Sequence, residues 1–100
     1  MNHTLVRGAE GATLNVRGEL DALSCPELRP VVDALASEPG CVLTVDLSEL
    51  RLIDSSGVGI LVSLYKRVRA NGGEVKFAGV TAQPLVVFKL LRLDRAFELA

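Results

Sequence analysis

Residues 45–65 read Val-Asp-Leu-Ser-Glu-Leu-Arg-Leu-Ile-Asp-Ser-Ser-Gly-Val-Gly-Ile-Leu-Val-Ser-Leu-Tyr, and the pattern changes character partway along. Leading into it, Val42, Leu43, Val45 and Leu47 make a nearly continuous apolar run, the mark of a strand covered on both faces. Residues 48–53 read as a short connector that delivers the chain to Asp54-Ser55-Ser56-Gly57. After that turn Val58, Leu61, Tyr65 and Val68 recur with helical period, while Lys66, Arg67 and Arg69 fall elsewhere as a solvated basic face. Two hydroxyls therefore stand at a helix N-terminus, where unpaired backbone N–H groups and the positive end of the macrodipole favour added negative charge.

Working outward, Thr4–Arg7 and Ala12–Arg17 fit two strands joined through Gly8-Ala9-Glu10-Gly11 as a hairpin. Ser24-Cys25-Pro26-Glu27 has the spacing of a capping box, and Leu28, Val31, Val32 and Leu35 follow as one helical stripe. Pro30 is awkward there, so either the first turn is irregular or the regular helix begins nearer Leu28. Glu38-Pro39-Gly40 ends that helix, and Asn71-Gly72-Gly73 ends the one after the Ser55 turn. Glu74–Gly79 alternates as a strand. Ala82–Arg92 predicts a third helix with Val87, Phe88 and Leu91 inward and Pro84 in its first turn. Ala96–Leu99 is compatible with a short final strand. Strands joined through helices imply parallel neighbours with right-handed crossovers. The expected fold class is α/β: a mixed, mostly parallel sheet of four to five strands, an N-terminal β-hairpin and about three packed helices.

The 100 residues are 49% hydrophobic and 23% charged, which bounds a single domain over 1–100 with one core and excludes a disordered tail. Eleven basic against 12 acidic residues leave no cationic excess for nucleic acid. No apolar run approaches the roughly 20 residues that span a bilayer. Met1-Asn2-His3-Thr4 has no signal-peptide pattern, so a cytoplasmic location is expected. Cys25 and Cys41 are then expected as free thiols. A place in a helix first turn would lower the Cys25 pKa and favour redox sensitivity; the plainer reading is two small half-buried side chains.

Enzyme readings fail on missing parts. The sole histidine is His3, Ser55 lies in no G-x-S-x-G elbow, and no lysine follows Gly57-Val58-Gly59 as a phosphate-binding loop requires. No Cys/His cluster has metal-ligand spacing, and no cofactor is expected. At the Ser55 turn, Asp54, Ser55 and Ser56 are each able to cap the helix, which is more capping capacity than one helix end uses. Gly57 and Gly59 lower helix propensity there and leave the hydroxyls accessible. Asp21 closes Gly18-Glu19-Leu20-Asp21 just before the first helix, where it either caps the turn or faces a partner.

Asp46-Leu47-Ser48 followed by Ile53-Asp54-Ser55-Ser56-Gly57-Val58-Gly59 resembles the signature of STAS domains, and within them of bacterial anti-sigma factor antagonists. The likeness runs from about Thr4 to Leu99, through Gly18-Glu19-Leu20-Asp21, Leu64-Tyr65-Lys66-Arg67, Gly72-Gly73 and Leu91–Phe97. The resemblance implies a STAS fold and a non-catalytic switch. It makes Ser55 the phosphorylated residue, with Asp21, Asp54, Ser55, Ser56 and Gly57 binding the partner. That partner would be an anti-sigma factor serine kinase, bound when Ser55 is unphosphorylated so that a sigma factor is freed. A phosphatase would reset the phosphorylated form, and ATP and Mg²⁺ would belong to the kinase. The alternative is a STAS binding module of another system, a stressosome component or the cytosolic subunit of a lipid transporter.

Overall fold

Two apolar ladders decide which way the sheet faces. Leu5, Leu14, Val45 and Phe77 are successive cross-strand partners, and Val6, Thr13, Thr44 and Lys76 form the adjacent row. Because side chains alternate across a strand, the first row points into the core and the second into solvent. The chain, described by a computed structural model at residues 1–97 and 99, is built on this alternation. In chain order the elements are β1 (Asn2–Gly8), β2 (Gly11–Leu20), α1 (Cys25–Ala36), β3 (Val42–Asp46), β4 (Leu50–Ile53), α2 (Ser55–Ala70), β5 (Glu74–Ala78), α3 (Ala82–Leu90) and α4 (Leu93–Ala96).

The sheet runs β1-β2-β3-β5, with β1 antiparallel to β2 and the remaining pairs parallel. Residues 48–53 are not a plain connector. Leu50–Ile53 is a strand, β4, which pairs in parallel with Gly18–Leu20 after a register shift at Gly18/Glu19. The sequence signal is weak because only Leu50 and Ile53 of its four residues are buried, and alternation is invisible over so short a run. The expectation that Val42–Leu47 is covered on both faces is also corrected: Leu43, Val45 and Leu47 are buried, but Val42 is 47% exposed and Thr44 is partly exposed.

α1 starts at Cys25 and runs without a break through Pro30. Pro30 has no N–H to give to the carbonyl of Pro26, and both prolines are exposed, so water can reach the freed oxygen. The Ser24 capping box does not form. Ser24 is buried, its Oγ donates to the Glu19 carbonyl (3.0 Å) and accepts from the Asp21 N–H (2.9 Å), and the helix N–H groups get nothing from it. The N–H groups of Ser24 and Cys25 are instead taken by the Asp21 carbonyl, at 3.2 and 2.9 Å.

At the far end of α2 the carbonyls of Arg69 and Val68 accept from Gly72 (3.1 Å) and Gly73 (2.9 Å), a complete Schellman motif with Gly72 left-handed at φ 79°. All four aromatic side chains form one cluster: Phe77 stacks on Phe97 at 4.2 Å, Phe88 meets both edge-on, and Tyr65 lies 4.9 Å from Phe97. Tyr65 also donates to the Ala96 carbonyl (3.0 Å), so the aromatic cluster ties α4 to α2. The third helix stops at Leu90, and Leu91, expected inward, is 54% exposed. Ala96 closes α4 and Leu99 lies in no regular element, so among the described residues there is no final strand; Glu98, in the expected range, lies outside them.

Cys25 and Cys41 are free and buried. Burial pushes both thiols up from their ordinary value, assisted at Cys25 by the charge of Asp54. The alternative of a lowered Cys25 pKa is therefore not met, because burial raises it.

Arg92 sits at φ 58°, just past the α3 C-cap, with its N–H on the Lys89 carbonyl (3.1 Å). A left-handed non-glycine residue costs about 1–2 kcal/mol, and replacing it with glycine gives back about 0.4–1 kcal/mol in unfolded-chain entropy. Arg92→Gly is therefore expected to raise Tm by a few degrees in a thermal melt; an unchanged or lower Tm would show that the Arg92 side chain stabilises the turn by more than its strain.

Candidate functional site

The carboxyl ends of β2 and β4 lie side by side, and each leads directly into a helix. That adjacency brings Asp21, after β2, next to Asp54, after β4. Open α/β sheets place their functional loops at this edge.

Asp54 is extended at φ −110°, ψ −173°, and its two carboxylate oxygens serve different loops. Oδ1 accepts from the Gly57 N–H (2.9 Å) and so caps α2. Oδ2 accepts from the Ala22 N–H (3.1 Å) in the loop before α1. Its backbone adds two more bonds, from its own N–H to the Leu20 carbonyl (3.2 Å) and from the Val58 N–H to its carbonyl (2.9 Å). Three residues were able to cap this helix by type; the structure gives the whole task to Asp54.

Ser55 and Ser56 are consequently unoccupied. Both are exposed on the first turn of α2, and among the described residues neither hydroxyl makes a hydrogen bond. Asp54 takes the N–H groups of Gly57 and Val58, which leaves those of Ser55 and Ser56 without a partner among the described residues, at the positive end of a 16-residue helix.

Asp21 organises the neighbouring loop. Its Oδ1 accepts from Leu23 and Ser24, both at 3.0 Å, which pulls the carboxyl below its ordinary value of 3.8, chiefly through the Ser24 N–H. The capping reading of Asp21 is thus realised, and Oδ2 makes no bond among the described residues.

The two glycines of the motif do different work. Gly57, expected at the partner-binding surface, is instead buried: a Cβ there would stand 2.4 Å from the Leu20 carbonyl oxygen and 2.7 Å from Ile53. Its role is to let α2 start hard against β2. Gly59 is exposed, and a Cβ there would meet nothing within 4 Å. A glycine inside a helix costs about 0.5–1 kcal/mol relative to alanine, and nothing in the described chain requires it.

Three features escape a reading of the sequence. Gln83, on the first turn of α3, clamps the outer edge of β4: its Oε1 accepts from the Ile53 N–H (2.9 Å) and its Nε2 donates to the Ile53 carbonyl (3.0 Å). No local pattern marks it, since the contact crosses 30 residues. Leu23 projects from the Asp21 loop at 90% exposure, an apolar residue that composition alone would place inside. Gly59 reads like Gly57 until the space around each is known. Of the basic stretch on α2, Arg67 pairs with Asp33 of α1 (2.8 Å) and Arg69 lies over the Tyr65 ring, while Lys66 is exposed.

The depressed Asp21 carboxyl fixes a pH dependence. Its contribution is fully present above the ordinary value of 3.8 and is lost as pH falls through the lower folded value. Asp21→Asn, which keeps an acceptor oxygen but no charge, should melt below wild type at neutral pH, and the two Tm values should converge in more acidic solution. A difference that stays constant from pH 7 to pH 2 would mean the Asp21 charge does not hold the loop.

The family model described as Mlab, STAS domain, matches residues 3–99. The anti-sigma-B factor antagonist of Bacillus subtilis is 30% identical over 87 residues, covering 87% of this chain and 79% of its own. The crystal structure of an anti-sigma factor antagonist from Mycobacterium paratuberculosis superposes with a TM-score of 0.86 at 22% identity, over 98% of this chain and 83% of that one. The Bacillus cell fate determinant SpoIIAA in its phosphorylated form superposes with a TM-score of 0.75 at 19% identity, over 99% and 91%. The chain belongs to the STAS domain family, and its relatives are anti-sigma factor antagonists.

Proposed function

We propose that this protein is an anti-sigma factor antagonist switched by phosphorylation of Ser55. Unphosphorylated, it binds an anti-sigma factor that is also a serine kinase, through the Ser55 turn and the Asp21 loop, and so frees a sigma factor. The observation that carries the reading is the division of labour at α2: Asp54 caps the helix, and the Ser55 hydroxyl is exposed with no structural duty. In the phosphoryl transfer the Ser55 oxygen forms a bond to the γ-phosphorus of ATP, the β–γ bridge breaks, ADP leaves, and the hydroxyl proton is lost. The kinase brings ATP and Mg²⁺, and a phosphatase reverses the step by hydrolysis. The names of the relatives, and a solved phosphorylated form of one fold neighbour, support the same reading.

The fold tolerates the modification. A dianion at a helix N-terminus is favoured by the dipole by about 0.3–1 kcal/mol, and the N–H groups of Ser55 and Ser56 are available to donate to it. The interface does not tolerate it. Phosphate adds about −1.5 to −2 charges, and one acidic partner group about 5 Å away at an effective dielectric near 20 gives roughly 3 kcal/mol of repulsion per charge. That corresponds to about a hundredfold loss of affinity.

The partner is recovered by using Ser55→Ala as bait in a cell lysate, with bound proteins identified by mass spectrometry. Recovery of transporter subunits or of a large sensory assembly in place of an anti-sigma factor would favour the other STAS reading. Incubation with the recovered kinase and ATP should add one phosphate, at Ser55; phosphopeptide mapping to Ser56, Ser48 or Ser63 would overturn the assignment.

The charge argument is tested separately by calorimetric titration. Ser55→Asp should weaken anti-sigma factor binding at least tenfold, and Ser55→Ala should bind like wild type. Both should melt like wild type, because the cap belongs to Asp54. Equal binding by all three proteins would remove the Ser55 turn from the interface.

A further inference from the structure

β1 and β5 are the two edges of the sheet, and only one of them is guarded. β5 is five residues long and carries Glu74 and Lys76, charges of the kind that keep an edge from pairing. β1 is seven residues long, holds no proline and no lysine, and keeps an unbroken register with β2. Its one arginine, Arg7, is drawn off the edge: both terminal nitrogens bond the Glu38 carboxylate just past α1, Nη1 at 3.0 Å. Val6 on the same strand is 60% exposed.

The hairpin fixes which backbone groups of β1 are free. Gly8 and Gly11 are partners across a two-residue loop, and the pair that closes such a loop exchanges hydrogen bonds. Hydrogen-bonded pairs alternate along an antiparallel ladder. Asn2, Thr4, Val6 and Gly8 therefore turn their N–H and C=O groups toward β2, and His3, Leu5 and Arg7 turn theirs away. Among the described residues, these outward groups have no partner.

Outward residues at i, i+2 and i+4 make an edge that complements itself. A second β1, related by a two-fold axis at Leu5, runs antiparallel to the first over its full length, since Leu5 is the middle residue of Asn2–Gly8. Leu5 then faces Leu5 of the other copy, and His3 faces Arg7, each at a position where both backbone bonds are exchanged. Thr4 and Val6, both exposed and β-branched, face each other at the closer spacing of about 4.5 Å.

We propose that two copies of this protein join along β1 in this register, forming one continuous sheet with two-fold symmetry. None of Asp21, Asp54, Ser55 and Ser56 lies on β1, so the proposal does not rest on the functional reading above.

Analytical ultracentrifugation over a dilution series tests the association, and hydrogen exchange read by NMR tests its place. The average mass of wild type should rise toward that of a dimer with concentration. The amides of His3, Leu5 and Arg7 should then exchange at least tenfold more slowly, while those of Val75 and Phe77 on the β5 edge stay unchanged. His3→Pro removes an outward N–H, a position where an edge strand accepts proline; it should melt like wild type and remain monomeric. Two double variants test the register without touching the backbone. Thr4→Glu with Val6→Glu sets like charges opposite each other across the axis and should weaken association at least tenfold; Thr4→Glu with Val6→Lys sets opposite charges there and should associate at least as well as wild type. Leu90→Ala, on α3 and 77% exposed, should dimerise unchanged. A monomeric wild type, a dimer whose β1 amides exchange freely, or equal association by the two double variants would each overturn the proposal. So would a dimer lost in Leu90→Ala.

Discussion

One carboxylate holds the functional edge of this protein together. Asp54 Oδ1 closes the start of α2 and Oδ2 holds the loop before α1, so two helices that follow different strands are fixed to each other through one side chain. Neither bond would be strong alone, at about 1 kcal/mol for a cap. Their combination matters more than their sum, because an anion that accepts on both oxygens has one orientation and transmits it to both loops. The strand adjacency beneath makes this possible: β2 and β4 end side by side, with the Asp54 N–H on the Leu20 carbonyl.

That arrangement leaves a serine at a helix start free of the capping task. Serines at such positions are ordinarily caps, and a cap that is phosphorylated loses its function. Here the cap is an aspartate and the serine beside it is free, so the charge of Ser55 can change while the helix keeps its termination. Gly57 contributes by burial, since a Cβ there would stand 2.4 Å from the Leu20 carbonyl oxygen, and only a residue without one lets the first turn pack against it. Gln83 supports the turn from the other side by occupying the open edge of β4 at Ile53, two residues before Ser55.

The remainder of the molecule isolates this edge from the demands of stability. The core lies between the sheet and its helices, with Leu14, Val45, Leu61, Leu64 and Phe77 almost wholly buried. The aromatic cluster of Tyr65, Phe77, Phe88 and Phe97 secures α3 and α4.

Much of this was legible in the residues themselves. Strand alternation over Ala12–Arg17, the helical stripes of α1 and α2, and the glycines at 72–73 are local patterns, and local chemistry enforces them: period, capping and left-handed turns act over a few residues. The resemblance carried by Asp54-Ser55-Ser56-Gly57 pointed to the turn proposed to accept phosphate for the same reason. What only the tertiary structure decided depends on groups brought together from far apart. Whether Asp54, Ser55 or Ser56 caps α2 turns on a second donor, the Ala22 N–H, 32 residues away. Whether Gly57 or Gly59 is sterically required turns on Leu20 lying under one and open space lying over the other. Leu50–Ile53 becomes a strand because Gly18–Leu20 offers a free edge, and the Cys25 thiol is pushed up because the folded chain buries it. In each case residue types defined the options, and the competition among them was settled by contacts that exist only once the chain has folded.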